Sequence, residues 1–361
     1  MFARPTMALV DITFLTHRGA DFGMHGSLIM SHEDIRARIA TLPRLDIALK
    51  NTPLEEARNL TRQLDGPRIF VKRDDLTGVA LGGNKLRNLE FRLAHAMKDS
   101  PDTVIVGLDL QSNSARQTVG ACNKLGLRTI LVLEGRRPNN VQGNLLVDYL
   151  LGAEVHFAAD RHEQRAMLDR LATEVRDQGG VPHILNDNPM FDVASAVAYM
   201  EVALEVIEQL NERDLAPTAF YMSSSGKGSA GILLAQKLLG ASFTMNAVCA
   251  TNEFDLPSRT AAIANETSAA LQLGITISEA DVINTEDFVG KGYGLPSDAG
   301  DEAVRLFART EGIILDPIYT GKAAAGLIAH IREGRWSKDD VVVFVHTGGT
   351  PAIFTWNELW I

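Results

Sequence analysis

Gly82-Gly83-Asn84-Lys85-Leu86-Arg87-Asn88-Leu89-Glu90 decides how this chain is read. Upstream lie an apolar, strand-like run, Ile69-Phe70-Val71-Lys72, and the turn-rich Arg73-Asp74-Asp75-Leu76-Thr77-Gly78. Downstream, Leu86, Leu89, Phe91, Leu93 and Ala94 fall into a helical pattern. A lysine, Lys85, therefore stands at a glycine-rich turn where a helix begins. The positive end of the helix dipole disfavours an ammonium there. A lysine with a lowered pKa can attack a carbonyl and form a Schiff base. The plain alternative is a surface lysine after a loop, and four further segments weigh against it.

Working outward, strands and helices alternate. Ser31, before Glu33 and Asp34, reads as the cap of a helix running through Ile35, Ile39 and Leu42. Strands are expected at Thr103–Val106, Arg128–Leu133, Glu154–Phe157, Ala219–Met222 and Val341–Val345. Helices are expected at Gln117–Lys124, Asn144–Leu151, His162–Gln178, Val197–Leu210, Ala230–Leu239 and Asp301–Glu311. This alternation implies an α/β protein with parallel sheets covered by helices.

Composition narrows the function classes. The chain has 361 residues, 45% apolar and 22% charged, ordinary for an enzyme with a large core. A formal charge of −10 argues against a nucleic-acid surface. Cys122 and Cys249 make neither a disulfide framework nor a metal motif, so both are expected to pack as small hydrophobes and no metal is expected. No apolar run has membrane-spanning length, and the N-terminus lacks the order of a signal peptide, so the expected location is cytoplasmic.

The second segment, Gln111-Ser112-Asn113-Ser114, follows a strand and opens a helix, where backbone N–H groups and short polar side chains can grip a carboxylate. Simple capping is its alternative. The third, Ser223-Ser224-Ser225-Gly226-Lys227-Gly228-Ser229, is a small-residue turn between strand and helix, suited to a phosphate. It is not a nucleotide P-loop, because Gly228 follows Lys227 where Ser or Thr is required. The fourth, Asp316-Pro317-Ile318-Tyr319-Thr320, with Tyr293 upstream, offers phenolic hydroxyls as acids, bases or carboxylate ligands. The fifth, His346-Thr347-Gly348-Gly349-Thr350-Pro351, follows a buried strand, with His346 expected to pack and Thr347 to face the ligand.

A Schiff-base lysine and a phosphate cradle together imply pyridoxal phosphate. The chain resembles the D-cysteine desulfhydrase and aminocyclopropane-carboxylate deaminase family, within the tryptophan-synthase-β-like (fold type II) pyridoxal-phosphate enzymes. The motifs that carry the resemblance are Thr52-Pro53-Leu54, Lys72-Arg73-Asp74-Asp75, Gly82-Gly83-Asn84-Lys85, Gln111-Ser112-Asn113, Asp316-Pro317-Ile318-Tyr319 and His346 to Pro351. The resemblance implies two open parallel-sheet domains with the cofactor between them. Residues 1–40 then form an N-terminal extension, 41–85 with 201–361 a large cofactor-binding domain, and 86–200 a small domain. It implies Lys85 as the lysine bonded to the cofactor, Asn113 on its phenolic oxygen, and Ser225, Gly226, Lys227 and Gly228 on its phosphate. Thr347 would face its ring nitrogen. Ser112, Ser114 and Gln111 would meet the substrate, and Tyr293 and Tyr319 would be the two active-site tyrosines.

Departures from the pattern bear on specificity. The deaminases carry a glutamate after the second tyrosine, where this chain has Thr320. The desulfhydrases typically have histidine after Ser-Asn, where this chain has Ser114. The phosphate loop reads Gly226-Lys227-Gly228 rather than Gly-Gly-Thr, and the segment 186–192 lacks the family's glycines.

The expected function is a pyridoxal-phosphate-dependent lyase or deaminase. It would abstract the Cα proton of a small amino acid, with Lys85 or Ser112 assisted by Tyr319 as the catalytic base, and eliminate a β-substituent, giving a keto acid and ammonia. A racemase or a different β-eliminating lyase shares the same carbanion. A pyridoxal-phosphate-binding protein with little catalysis is the alternative from another class. A nicotinamide-linked dehydrogenase lacks the required G-x-G-x-x-G turn. The expected partners are a small amino acid and a second copy of the chain, with no nucleic acid and no membrane.

Overall fold

A computed structural model describes residues 29–253 and 255–361. The greater part of the N-terminal extension, 1–28, lies outside them. Among the described residues the strands form two sheets. One contains β1 (Leu54–Glu56), β2 (Arg68–Lys72), β7 (Ala219–Ser223), β8 (Thr244–Val248), β9 (Ile283–Thr285) and β10 (Val341–Val345), in the order β1-β2-β10-β7-β8-β9. The other contains β3 (Thr103–Asp109), β4 (Arg128–Glu134), β5 (Glu154–Ala158) and β6 (Pro182–Ile184), in the order β5-β4-β3-β6. Every pairing is parallel except β1 with β2, a three-residue antiparallel edge.

Helices cover both sheets, as parallel strands require. They are α1 (His32–Ile39), α2 (Arg58–Leu64), α3 (Lys85–Ala96), α4 (Asn113–Leu125), α5 (Gly143–Leu150), α6 (Arg161–Asp177), α7 (Phe191–Asn211), α8 (Lys227–Leu239), α9 (Leu256–Ala270), α10 (Asp298–Glu311) and α11 (Thr320–Arg332). The Ser31 cap forms with Asp34 as its reciprocal partner. Two helices start earlier than their apolar periodicity suggests. α4 begins at Asn113, where Ser112 Oγ accepts from the N–H groups of Ser114 and Ala115. α7 begins at Phe191 and is buried on most sides. Gly231 lets α8 meet α7 closely, since a Cβ there would lie 2.0 Å from the Ala196 carbonyl oxygen.

β10 sits between β2 and β7 at the centre of the larger sheet. Its sequence, Val-Val-Val-Phe-Val, is buried throughout. Burial of such side chains contributes about 1.5–3 kcal/mol each. Cys122 and Cys249 pack in the core as expected, and burial pushes both thiols up to about 11. The C-terminal ends of β10, β7 and β3 lead into Thr347, Ser223–Ser225 and Asp109. The first segment after each strand thus opens on one place, the crevice that such sheets use for ligands.

Candidate active site

That place is a cavity of about 400 Å³. Lys85, Ser112, Asn113, Ser114, Ser225, Lys227, Tyr293, Tyr319 and Thr347 all line it. Gln111, Gly226 and Gly228, also singled out in the sequence, do not. Gln111 turns toward α5, with its Oε1 accepting from Asn144 N at 2.9 Å and its Nε2 donating to Gln142 O at 3.1 Å. Gly226 donates its N–H to Ser224 Oγ at 3.1 Å. Gly228 packs beneath Met222, whose Cε would lie 2.5 Å from an added Cβ.

Lys85 is the first residue of α3. Its amine is lowered to about 8 by burial, with the nearby Arg92 charge adding to the effect. The turn before it is tightly determined. Ala80, Leu81, Gly82 and Gly83 all have positive φ, at 50°, 63°, 67° and 123°. A Cβ on Gly82 would lie 2.0 Å from the Asp75 carbonyl oxygen. The Thr77 hydroxyl donates to Gly83 O at 2.7 Å, and Asn84 Nδ2 donates to the buried Tyr199 hydroxyl at 2.7 Å.

The 223–227 turn, which lines the same cavity as Lys85, leads into α8. Ser224 Oγ takes the Gly226 and Ser229 N–H groups, which shapes the turn. The N–H groups of Lys227 and Gly228, first in α8, are donors that a helix start offers to an anion. Lys227 Nζ pairs with Asp192 Oδ1 at 2.8 Å and lies 3.2 Å from the Phe191 ring centroid. Burial lowers its amine to about 8 against the opposing pull of Asp192.

The tyrosines form a directed chain. Tyr293 donates to Asp109 Oδ2 at 3.1 Å, and the two phenolic oxygens are 2.9 Å apart. With the Tyr293 proton on Asp109, Tyr319 donates to Tyr293 and keeps its lone pairs for other donors. Burial raises the Tyr319 hydroxyl, and the neighbouring Tyr293 raises it further, so it stays protonated. His346 is packed, with Nε2 donating to Ile314 O at 3.1 Å and Nδ1 accepting from Gly348 N at 3.3 Å. Thr320 lies apart from the cavity lining, because its hydroxyl donates to Asp316 Oδ2 at 2.6 Å. Both Asp316 oxygens are occupied, since Oδ1 also accepts from Ile318 N and Tyr319 N.

Several lining residues escaped the sequence reading, among them Asp109, Arg161, Ser195, Glu253 and Arg259, while Phe191 brings the 186–192 segment to the cavity. Asp109 had a usable signal: it is a carboxylate at the C-terminal end of a parallel strand. Arg161 pairs with it at 3.2 Å and with Glu134 at 3.3 Å. The arrangement places a low-pKa amine, an anion-binding turn and a hydroxyl pair around one space.

Comparison with known proteins agrees with this chemistry. The family described as pyridoxal-phosphate dependent enzyme matches residues 45–348. A D-cysteine desulfhydrase of Salmonella typhi is 36% identical over 324 residues, covering 88% of this chain and 98% of that protein. The solved structure of an ACC deaminase homologue superposes with a TM-score of 0.80 at 28% identity, covering 91% of this chain and 98% of that one. A fungal L-serine ammonia-lyase from Rhizomucor miehei shares the fold, with a TM-score of 0.62 at 18% identity over 87% of this chain and 98% of its own.

Proposed function

This chain belongs to the family of pyridoxal-phosphate dependent enzymes, and from that premise we propose that it acts as a D-cysteine desulfhydrase-like lyase. In this reading it removes a β-substituent from a small amino acid and releases a keto acid and ammonia. The observation that carries it is one cavity lined by both Lys85 and the 223–227 turn, through Ser223, Ser224, Ser225 and Lys227.

The residues fit pyridoxal 5'-phosphate. Lys85 offers an amine at about 8, partly unprotonated near neutrality and able to bond an aldehyde. The α8 start offers N–H donors to a phosphate, and the absent Gly226 side chain leaves room beside Arg259, whose Cγ would lie 3.2 Å from an added Cβ. Asn113 would hold the ring oxygen and the Thr347 hydroxyl the ring nitrogen. When bound, the cofactor supplies a sink for electrons released at Cα.

The protein's part is to bind, orient and move protons. The start of α4 receives the substrate carboxylate, with the Ser112 and Ser114 hydroxyls as its donors. Lys85 Nζ takes the Cα proton. Tyr319, held by Tyr293, lies on the substrate side and orients the amino acid by its hydroxyl. Two domains, 41–85 with 201–361 and 86–200, hold the cofactor between them. The protein works in the cytoplasm as a homodimer. Exposed apolar side chains on α5, Leu146 and Leu150, support a protein–protein contact.

Borohydride reduction of the yellow protein followed by peptide mapping tests the central claim. The fixed cofactor is expected on the peptide containing Lys85, and Lys85→Ala should abolish turnover. Label on a peptide lacking Lys85 would overturn the assignment. Keto acid and ammonia, measured over D- and L-amino acids with β-leaving groups, identify the substrate and its handedness.

A further inference from the structure

We infer that Arg116 is a positioning residue that holds the Lys85 turn and Asn113 in register with each other. The inference rests on the function proposed above. Arg116 lies on α4, one turn beyond Asn113, and is fully buried. Its Nη1 donates to the carbonyl oxygens of Ala80 and of Gly82, the latter at 3.0 Å. Its Nε donates to Asn144 Oδ1 at 2.7 Å. Asn144 Nδ2 in turn donates to Asn113 Oδ1 and to Gln111 O, both at 2.9 Å. One guanidinium thus reaches both sides of the cavity within two hydrogen bonds.

Two observations set this contact apart from ordinary packing. First, Ala80 and Leu81 are non-glycine residues with φ of 50° and 63°. Such conformations persist only where the surroundings hold them. Arg116 grips carbonyls within that run, and Gly120 on the same helix leaves space for Ala80, whose Cβ would lie 2.6 Å from an added Cβ. Second, among the described residues no carboxylate lies within ion-pair distance of Arg116. Arg87, equally buried, pairs with both Asp74 and Glu205. Asp148 attracts Arg116 only from beyond ion-pair distance, and a buried charge held without a direct ion pair costs stability. Arg116 meets that cost while its hydrogen bonds go to the turn before Lys85 and to Asn144.

The test compares the cofactor-loaded protein with Arg116→Lys, Asn144→Ala and the double variant. Lysine keeps the charge but lacks the planar fork that reaches three acceptors. Cofactor Kd is measured by titrating pyridoxal phosphate into resolved protein, together with the wavelength of the bound cofactor's visible band and the thermal midpoint. Each folded single variant should bind roughly tenfold or more weakly, the scale seen when an outer partner of a ligand-holding residue is removed. The visible band should shift. The double variant should be no worse than the poorer single, because both cut one chain of bonds. Parental Kd and band in the folded variants, or losses that add, would overturn the inference. If Arg116→Lys does not fold, Asn144→Ala decides alone, since it cuts the link to Asn113 and leaves the Arg116 bonds to the Ala80 and Gly82 carbonyls in place: weakened binding and a shifted band support the inference, and parental values overturn it. A parent protein that takes up no pyridoxal phosphate would instead overturn the proposed function.

Discussion

Burial, ahead of any neighbouring charge, sets the Lys85 amine at about 8. The Gly-Gly-Asn-Lys turn marked Lys85, but the expected cause of its lowered pKa was the helix dipole. Burial is the larger influence, followed by Arg92, which lies seven residues further along the same helix and carries no motif. Asp148 had no sequence signal at all. It is fully buried on α5, and among the described residues neither carboxylate oxygen has a hydrogen-bond partner. Burial raises it to about 7, against the pull of Arg116. Its folded pKa lies above the unfolded one, so its contribution is full below the ordinary carboxylate range and lost as pH rises through about 7. Asp148→Asn cannot ionise. Its thermal midpoint should gain on the parent's as pH rises through about 7, by an amount equivalent to roughly 1–4 kcal/mol. A gap independent of pH would show that Asp148 does not titrate there. Lys227 gives a second expectation. Its charge is already engaged by Asp192 and Phe191. Lys227→Ala should therefore keep its cofactor through dialysis, held by backbone N–H groups that tolerate side-chain change. Loss of most of the visible absorbance would assign the phosphate to the lysine.

At the scale of elements, periodicity found the long helices and the apolar strands, but it missed the short and the mixed. β8 reads Thr-Met-Asn-Ala-Val, and Asn246 interrupts its apolar run although the strand is largely buried. β1 and β9 are three residues each, too short for a pattern, and exist because a neighbouring strand edge is there to pair with. The Lys72-Arg73-Asp74-Asp75 motif was legible as a motif but not as a structure. In the fold it joins β2 to α3 and α7. Arg87 donates to both oxygens of Asp74 and both of Glu205, and Lys72 Nζ lies 2.7 Å from Glu205. Burial alone would raise Glu205, but Arg87 and Lys72 outweigh it and hold the carboxyl down to about 2. Arg87→Ala would leave buried Asp74 without its guanidinium and Glu205 with Lys72 alone. It should cost about 3–5 kcal/mol, read as a lower urea midpoint. A loss below about 1 kcal/mol would show that water replaces the guanidinium, as at surface pairs.

The whole molecule brings the two sheets to one cavity, and this assembly was the part least visible in sequence. Asp109 comes from the end of β3, while Tyr293 and Tyr319 come from segments between β9 and β10. Their hydrogen bonds span the sheets across nearly 200 positions of chain, which no local pattern encodes. The same assembly bears on specificity. The carboxylates lining the cavity are Asp109 and Glu253, and the position after Tyr319 is a threonine bound to Asp316. No carboxylate thus stands where the deaminases carry their glutamate. Cleaving a cyclopropane C–C bond demands more charge stabilisation than expelling a thiolate. Thiol elimination from D-cysteine should therefore exceed opening of aminocyclopropane carboxylate by orders of magnitude in kcat/KM, the scale of preorganised electrostatic contacts. Comparable values for the two substrates would refute this reading of Thr320.

The place of β10 bears on how the protein is made. It is the last strand in chain order, yet it is the central strand of its sheet, hydrogen-bonded to β2 on one side and β7 on the other. While the ribosome is still adding the preceding residues, β2 and β7 have no neighbour on their facing edges, and open edges are where chains pair wrongly. The strands of the smaller sheet, 103–184, have all been synthesised well before this point. Biogenesis thus leaves the larger sheet open until almost the whole chain has emerged. Pairing errors at these edges are accordingly expected to concentrate in chains that have emerged past β9 but not yet through β10.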